Sequence, residues 1–117
     1  MIIGIGARRG VSSQEAVDAI RNALAELGRD ISEVQVLASA KLKEDEEGLH
    51  EAASVLGLEL RFIDHDELNR YDAPSASQAK RFGLTGVAEP AALALSGKKE
   101  LILRKKVYGR VTIAIAE

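Results

Sequence analysis

Apolar positions along this chain alternate between two rhythms, short unbroken runs and stretches with helical spacing. Residues 2–6 (IIGIG) predict a short buried strand. Ser12 with Glu15 three residues later is a capping-box pattern, a side-chain signal for a helix start. Ala16, Val17, Ile20, Ala23, Leu24 and Leu27 then recur at spacings of three and four, and Gly28 predicts the stop. Residues 34–38 (VQVLA) predict a second strand, and "KLKEDEEG" a solvated loop into a helix whose apolar face is Leu49, Ala52, Ala53 and Leu56, ended by Gly57. Residues 58–63 predict a third strand, and "DHDELNRY" opens with a helical turn. "APSAS" interrupts the pattern, with Ser75 expected to cap a short helix over residues 76–82. An Ala-rich helix follows in "GLTGVAEPAALALSG", with Pro90 in its first turn and Gly97 at its end. The last stretch, "ELILRKKVYGRVTIAIAE", predicts two strands around a turn at residues 106–109. In the final strand Val111, Ile113 and Ile115 alternate with Thr112, Ala114 and Ala116, so both faces are largely apolar and the strand belongs in the middle of a sheet.

Three strands each followed by a helical segment imply parallel pairing with right-handed crossovers, and the last two strands an antiparallel pair. The expected fold is a three-layer α/β/α sandwich with a mixed, mainly parallel sheet of about five strands. Residues 1–117 are expected to form one domain, with no internal repeat or linker.

Composition narrows the function. Hydrophobic residues make up 46% of the chain but aromatics only 3%, so the core is built from Ala, Val, Ile and Leu. The net charge of -2 lacks the basic excess of a dedicated nucleic-acid binder, and no aromatic residues interleave the basic ones. With no cysteine there is no disulfide, thiolate metal site or cysteine nucleophile, which suits a reducing cytoplasm. The apolar run at residues 1–5 is too short for a signal peptide, and no stretch reaches membrane-spanning length. The expectation is a cytoplasmic protein with no resident metal or cofactor.

The segment "GIGARRGVSS" carries the clearest chemistry. Gly4, Gly6 and Gly10 give G-x-G-x-x-x-G, one residue longer than the dinucleotide fingerprint, and the end of the second strand offers Ala38, Ser39 and Ala40 where a ribose-binding acid belongs. The loop also lacks a Walker lysine. Anion binding fits better. A helix start presents free N–H groups, and the planar forks of Arg8 and Arg9 suit carboxylate or phosphate. Against this stands the ordinary outcome that one arginine pairs with a local acid and the other is solvated.

Ligands of open α/β sheets lie beyond the carboxyl ends of the strands. Parallel strands would bring to one rim Arg8 and Arg9, then Ser39, Lys41 and Lys43, then Asp64, His65 and Asp66. The candidate binding residues are therefore Gly6, Arg8, Arg9, Gly10, Ser12, Ser39, Lys41 and Lys43, suited to a ligand with several carboxylates. The competing expectation is that Lys41 and Lys43 pair with residues 44–47 (EDEE). His65 and Asp64 are candidates for acid–base work. His50 is expected to be exposed, and two distant histidines give no zinc signature.

Four segments occur in family order: "GIGARRGVS", "ASAKLKEDEEGLHEAASVLGLELRF", "PSASQAKRFGLTGVAEPAALALSG" and "LILRKKVYGRVTIAIA". The chain resembles the CbiG C-terminal domain and CobE family of cobalamin biosynthesis. In the first motif Gly4, Gly6, Arg8, Arg9, Gly10 and Ser12 match, with Ala7 in place of the usual Cys. In the second Ser39, Lys43, Asp45, Glu46, Gly48 and Leu49 match, while Ala40 and Lys41 depart. In the third Pro74, Ser75, Gly86, Val87 and Glu89 match. The resemblance implies a role in building the corrin ring. Its partners would be a corrinoid precursor intermediate and other cobalamin-pathway enzymes or the remaining CbiG domains, which Met1 at the first strand suggests are absent here. Full-length CbiG is the hydrolase that opens the ring-A δ-lactone of cobalt-precorrin-5A with loss of acetaldehyde. The readings left open are that hydrolase or part of it, a non-catalytic tetrapyrrole carrier or docking module, and an unrelated nucleotide or phosphate binder.

Overall fold

The computed structural model describes residues 1–71 and 87–117. Strand β1 (Ile2–Ala7) leads to helix α1 (Ser13–Leu27), then strand β2 (Val36–Ala40), helix α2 (Glu47–Leu56) and strand β3 (Glu59–Ile63). The single turn α3 (His65–Leu68), helix α4 (Ala88–Leu95), and strands β4 (Leu101–Tyr108) and β5 (Val111–Ala116) complete the described elements. The helix expected over residues 76–82 lies outside the described residues.

The sheet has five strands in the order β3-β2-β1-β5-β4. The pairs β1–β2 and β2–β3 are parallel, and β1–β5 and β4–β5 antiparallel. The mixed three-layer sandwich is the expected one, and β5 lies inside the sheet as its two apolar faces require. Strand alternation sorts the layers. Ile3, Ile5, Leu37, Ile113 and Ile115 face α1 and α2 and form the main core with Ala16, Ile20, Leu24, Leu49 and Ala52. Ile2, Ala38, Ala40 and Ile63 face the other way and pack with Leu68 and Ala91 of α3 and α4. Each fully buried Ile or Leu contributes roughly 1.5–3 kcal/mol.

Both halves of the Ser12–Glu15 capping box are present, and Gly28 and Gly57 end α1 and α2 in left-handed conformation. Two element boundaries differ from the sequence expectation. Asp30 accepts the Ser32 N–H while Glu33 accepts the Asp30 N–H, a second capping box that winds Ile31–Glu33 into a 3-10 turn. That turn takes Val34 as its C-cap, so β2 begins at Val36. The last hairpin turns at Gly109 and Arg110 because Tyr108 still pairs with Val111. Lys106 and Tyr108, both bonded to Glu26 of α1, extend β4 beyond the expected turn.

Gly4 sets how closely α4 lies on the sheet. A Cβ at Gly4 would stand 1.9 Å from the Ala88 carbonyl oxygen and 2.8 Å from the Ala92 nitrogen. The helix backbone thus rests directly on β1, where only glycine leaves room.

Candidate anion-binding rim

The parallel register pairs Ser39 with Phe62 and Ala40 with Ile63, and Gly4 with Ala38. The loops after β1, β2 and β3 therefore leave from one edge of the sheet, and the pairing of Ala7 with Val111 brings the β4–β5 turn to the same edge. Arg8, Arg9, Lys41, Lys43, Asp64 and His65 share this rim. Arg110 joins them from a fourth loop, because the hairpin turns at Gly109 and Arg110 rather than at the expected residues 106–109.

The first loop is fastened at both ends by its own hydrogen bonds. Arg8 donates its N–H to the Arg110 carbonyl at 3.1 Å, and Val11 donates to the Arg8 carbonyl at 3.2 Å. Gly10, at φ 83°, donates to Glu46 Oε1 at 2.9 Å. Ser12 donates its N–H to Glu15 Oε1 and accepts the Glu15 N–H on Oγ. Arg110 grips Glu15 through Nη2 at 2.6 Å and Nε at 2.8 Å. That guanidinium and the Ser12 backbone bond hold the Glu15 carboxyl well down, to about 2.

These bonds change which groups face a ligand. The backbone donors of Gly10 and Ser12, expected to receive a carboxylate, already serve Glu46 and Glu15. The side chains of Arg8 and Arg9 are exposed, and among the described residues neither enters an ion pair. Lys43 likewise has no acidic partner there, so the expected pairing with residues 44–47 does not form. Lys41 instead meets Asp64 at 3.6 Å, with the two side chains 61% and 71% exposed. Such an exposed pair holds weakly and yields readily to a better anion.

The other candidates are placed as follows. Ser39 is fully buried, and its hydroxyl donates to the Ile5 carbonyl at 2.7 Å, tying β2 to β1 beneath the rim. Gly6 has ordinary van der Waals room around a Cβ, with Val87 at 3.8 Å. His65 is exposed on α3, with Nε2 at 3.1 Å from Asn69 Nδ2. Asp64 faces Lys41 and not the histidine ring. His50 is exposed and bonds the Glu44 carbonyl at 2.8 Å. Among the described residues no group of three or more His, Cys, Asp or Glu side chains could hold a metal ion, and no helix is long and apolar enough to cross a membrane.

Glu46, Gly48 and Glu89 carried no role in the sequence reading beyond matching family motifs. A Cβ at Gly48 would stand 2.1 Å from the Val11 carbonyl oxygen, so the start of α2 presses on the first loop. Glu89 is fully buried and accepts the Lys105 N–H at 2.9 Å, where the β4–β5 register shifts. The signals in the sequence are the acid two residues before a glycine in "EDEEG" and a lone acid in the otherwise apolar "VAEP".

Residues 1–116 match the family model for the cobalamin synthesis G C-terminus. The chain is 42% identical to a cobalt-precorrin-5A hydrolase from Priestia megaterium over 99% of its own length and 32% of that protein. It is 29% identical to protein CobE from a Sinorhizobium species, over 99% of this chain and 79% of that protein. It thus spans about a third of the hydrolase and most of CobE. Among solved structures, CobE from the cobalamin biosynthetic pathway superposes with a TM-score of 0.78 at 36% identity, covering 97% of this chain and 86% of that one. The cobalamin biosynthesis protein chiG from Agrobacterium tumefaciens gives 0.77 at 36% identity, covering 97% and 94%.

Proposed function

Because the chain belongs to the cobalamin synthesis G C-terminal family, we propose that it binds a polycarboxylate corrin-ring precursor at the rim formed by the loops after β1 and β2. The observation that carries this reading is the unpaired state of Arg8, Arg9 and Lys43 among the described residues, beside a Lys41 held only by a loose exposed pair. Corrin precursors carry acetate and propionate chains around a flat macrocycle. Cationic side chains on separate loops can take several of those carboxylates at once, and guanidinium forks take them bidentately. Gly6, Gly10 and Ser12 shape the loop that presents the arginines. Ser39, bonded beneath the rim, supports that loop.

In the relative named a cobalt-precorrin-5A hydrolase this region is about a third of the protein. We assign the present domain the substrate-holding share of such a reaction in the cytoplasm, with the remaining hydrolase domains or other pathway enzymes as partners. Lactone opening needs a base to activate water and donors for the developing oxyanion. His65 and Asp64 are the rim's candidates for the base, but His65 Nε2 is taken by Asn69 and Asp64 by Lys41, and among the described residues no carboxylate bonds the His65 ring. The non-catalytic reading is therefore favoured over a stand-alone hydrolase. Incubating the purified protein with cobalt-precorrin-5A and assaying both bound corrinoid and acetaldehyde separates the two. Stoichiometric binding without release is expected. Multiple turnovers of acetaldehyde, lost in His65→Ala, would overturn the carrier reading, and absence of binding would overturn the rim.

A further inference from the structure

We infer that Glu46 is a positioning residue for anion binding, holding the arginine loop in place from the neighbouring loop. The inference rests on the reading that Arg8 and Arg9 hold the polycarboxylate, but its own basis is geometric. Gly10 sits at the apex of the arginine turn in left-handed conformation, with nothing within 4 Å of where a Cβ would lie. The bond from Val11 N–H to the Arg8 carbonyl closes the turn on itself, and Val11, buried in the main core, anchors its base. Three outside bonds hold the turn over the sheet: Arg8 N–H to the Arg110 carbonyl at 3.1 Å and Arg110 Nη2 to the Gly10 carbonyl at 3.4 Å on one side, and Gly10 N–H to Glu46 Oε1 at 2.9 Å on the other.

Glu46 is suited to this because it is itself held. Its N–H donates to the Lys43 carbonyl at 3.0 Å, and its carbonyl accepts the Leu49 N–H at 3.1 Å, in the first turn of α2. Gly48, two residues on, lets α2 approach the Val11 carbonyl directly. Lys41 and Lys43 belong to the same rigid stretch, a 3-10 turn that ends in an Lys41 carbonyl to Glu44 N–H bond at 3.0 Å. The Glu46 bond thus fixes the separation between the arginine pair and the lysine pair. A macrocycle with carboxylates at set spacing reads that separation, whereas a small anion does not. An acid on this rim opposes anion binding by its charge, so its use here points to the strength of a charge-assisted bond to the Gly10 N–H.

The test compares Glu46→Gln and Glu46→Ala by calorimetric titration with cobyrinic acid, a stable corrin polycarboxylate. Both variants remove the charge, and only the glutamine keeps an acceptor for Gly10. One net hydrogen bond's worth of loop ordering predicts that E46Q binds about fivefold more tightly than E46A. The two should bind citrate alike, because a small anion does not span the loops. Equal affinities of E46Q and E46A for cobyrinic acid overturn the inference. So does a melting-temperature loss in E46A with no separation of affinities, which would mark Glu46 as a purely structural support. The Arg8→Ala/Arg9→Ala protein run alongside locates a failure. If it binds cobyrinic acid like the parent protein, the rim reading falls and this inference with it. If it loses binding while the Glu46 pair stays equal, only the inference about Glu46 falls.

Discussion

Replacing Gly4 by Ala should cost this small protein a large share of its stability, because the added methyl meets the backbone of α4 at two points. The new Cβ would stand 1.9 Å from the Ala88 carbonyl oxygen and 2.8 Å from the Ala92 nitrogen. Contacts below about 3 Å are strongly repulsive, and neither atom can swing away as a side-chain end would. Helix α4 must therefore retreat by about 1 Å, opening the contact of Ala88, Ala91 and Ala92, each fully buried, with the sheet. Overpacking of a core typically costs about 1–3 kcal/mol, and two backbone contacts place this site at the upper end, about 3 kcal/mol. With an unfolding entropy near 2.1 cal/mol/K per residue, that lowers the melting temperature by about 12 °C for a chain of this length. Calorimetric melting of Gly4→Ala beside Gly97→Ala makes the comparison, since a Cβ at Gly97 meets nothing within 4 Å. Gly97→Ala should melt at or slightly above the parent temperature through its smaller unfolded-state entropy. A Gly4→Ala loss below about 4 °C would refute the reasoning, as it would show α4 sliding on β1 at little cost.

The Glu15 carboxyl, held down to about 2 by Arg110 and the Ser12 backbone bond, titrates near 4.5 when unfolded. Its folded pKa is depressed, so its stabilisation is fully present above pH 4.5 and is lost as the pH falls toward 2. Urea unfolding across that window should show a shallower decline of stability in Arg110→Ala than in the parent protein; parallel curves would contradict the pairing. Ser39→Ala removes a buried donor to the Ile5 carbonyl and should cost about 1 kcal/mol in denaturant unfolding. The same variant should leave cobyrinic acid affinity unchanged within about twofold, and a larger loss would place Ser39 in the ligand site.

The parts of this fold legible in the sequence are those fixed by local pattern. The Ser12–Glu15 box, the stops at Gly28 and Gly57 and the internal position of β5 all follow from spacing within one element. Even the β2 boundary had a local signal, the second capping box of Asp30 and Glu33, which competes with the apolar run starting at Val34. The rim was legible to the extent that parallel strands must send their loops to one edge. What sequence spacing could not give is the pairing across distant segments. Gly10 and Glu46 are 36 positions apart, and Glu15 and Arg110 are 95 apart. For the same reason Gly4 reads only as part of a strand and a glycine motif and Gly48 as the end of a solvated loop, when their missing side chains serve close approach of another backbone. These bonds take the Gly10 and Ser12 N–H groups out of the expected set of anion donors and leave the guanidinium groups.

The central claim is that Arg8 and Arg9, free of internal ion pairs among the described residues, hold a polycarboxylate corrinoid. It is tested most directly by titrating cobyrinic acid into the parent protein and into the Arg8→Ala/Arg9→Ala variant at low and high salt. The account predicts at least about a fivefold loss of affinity at low salt, roughly 1 kcal/mol, and a weaker salt dependence in the variant. Equal affinity and equal salt dependence, with the variant folded and melting as the parent does, would contradict it.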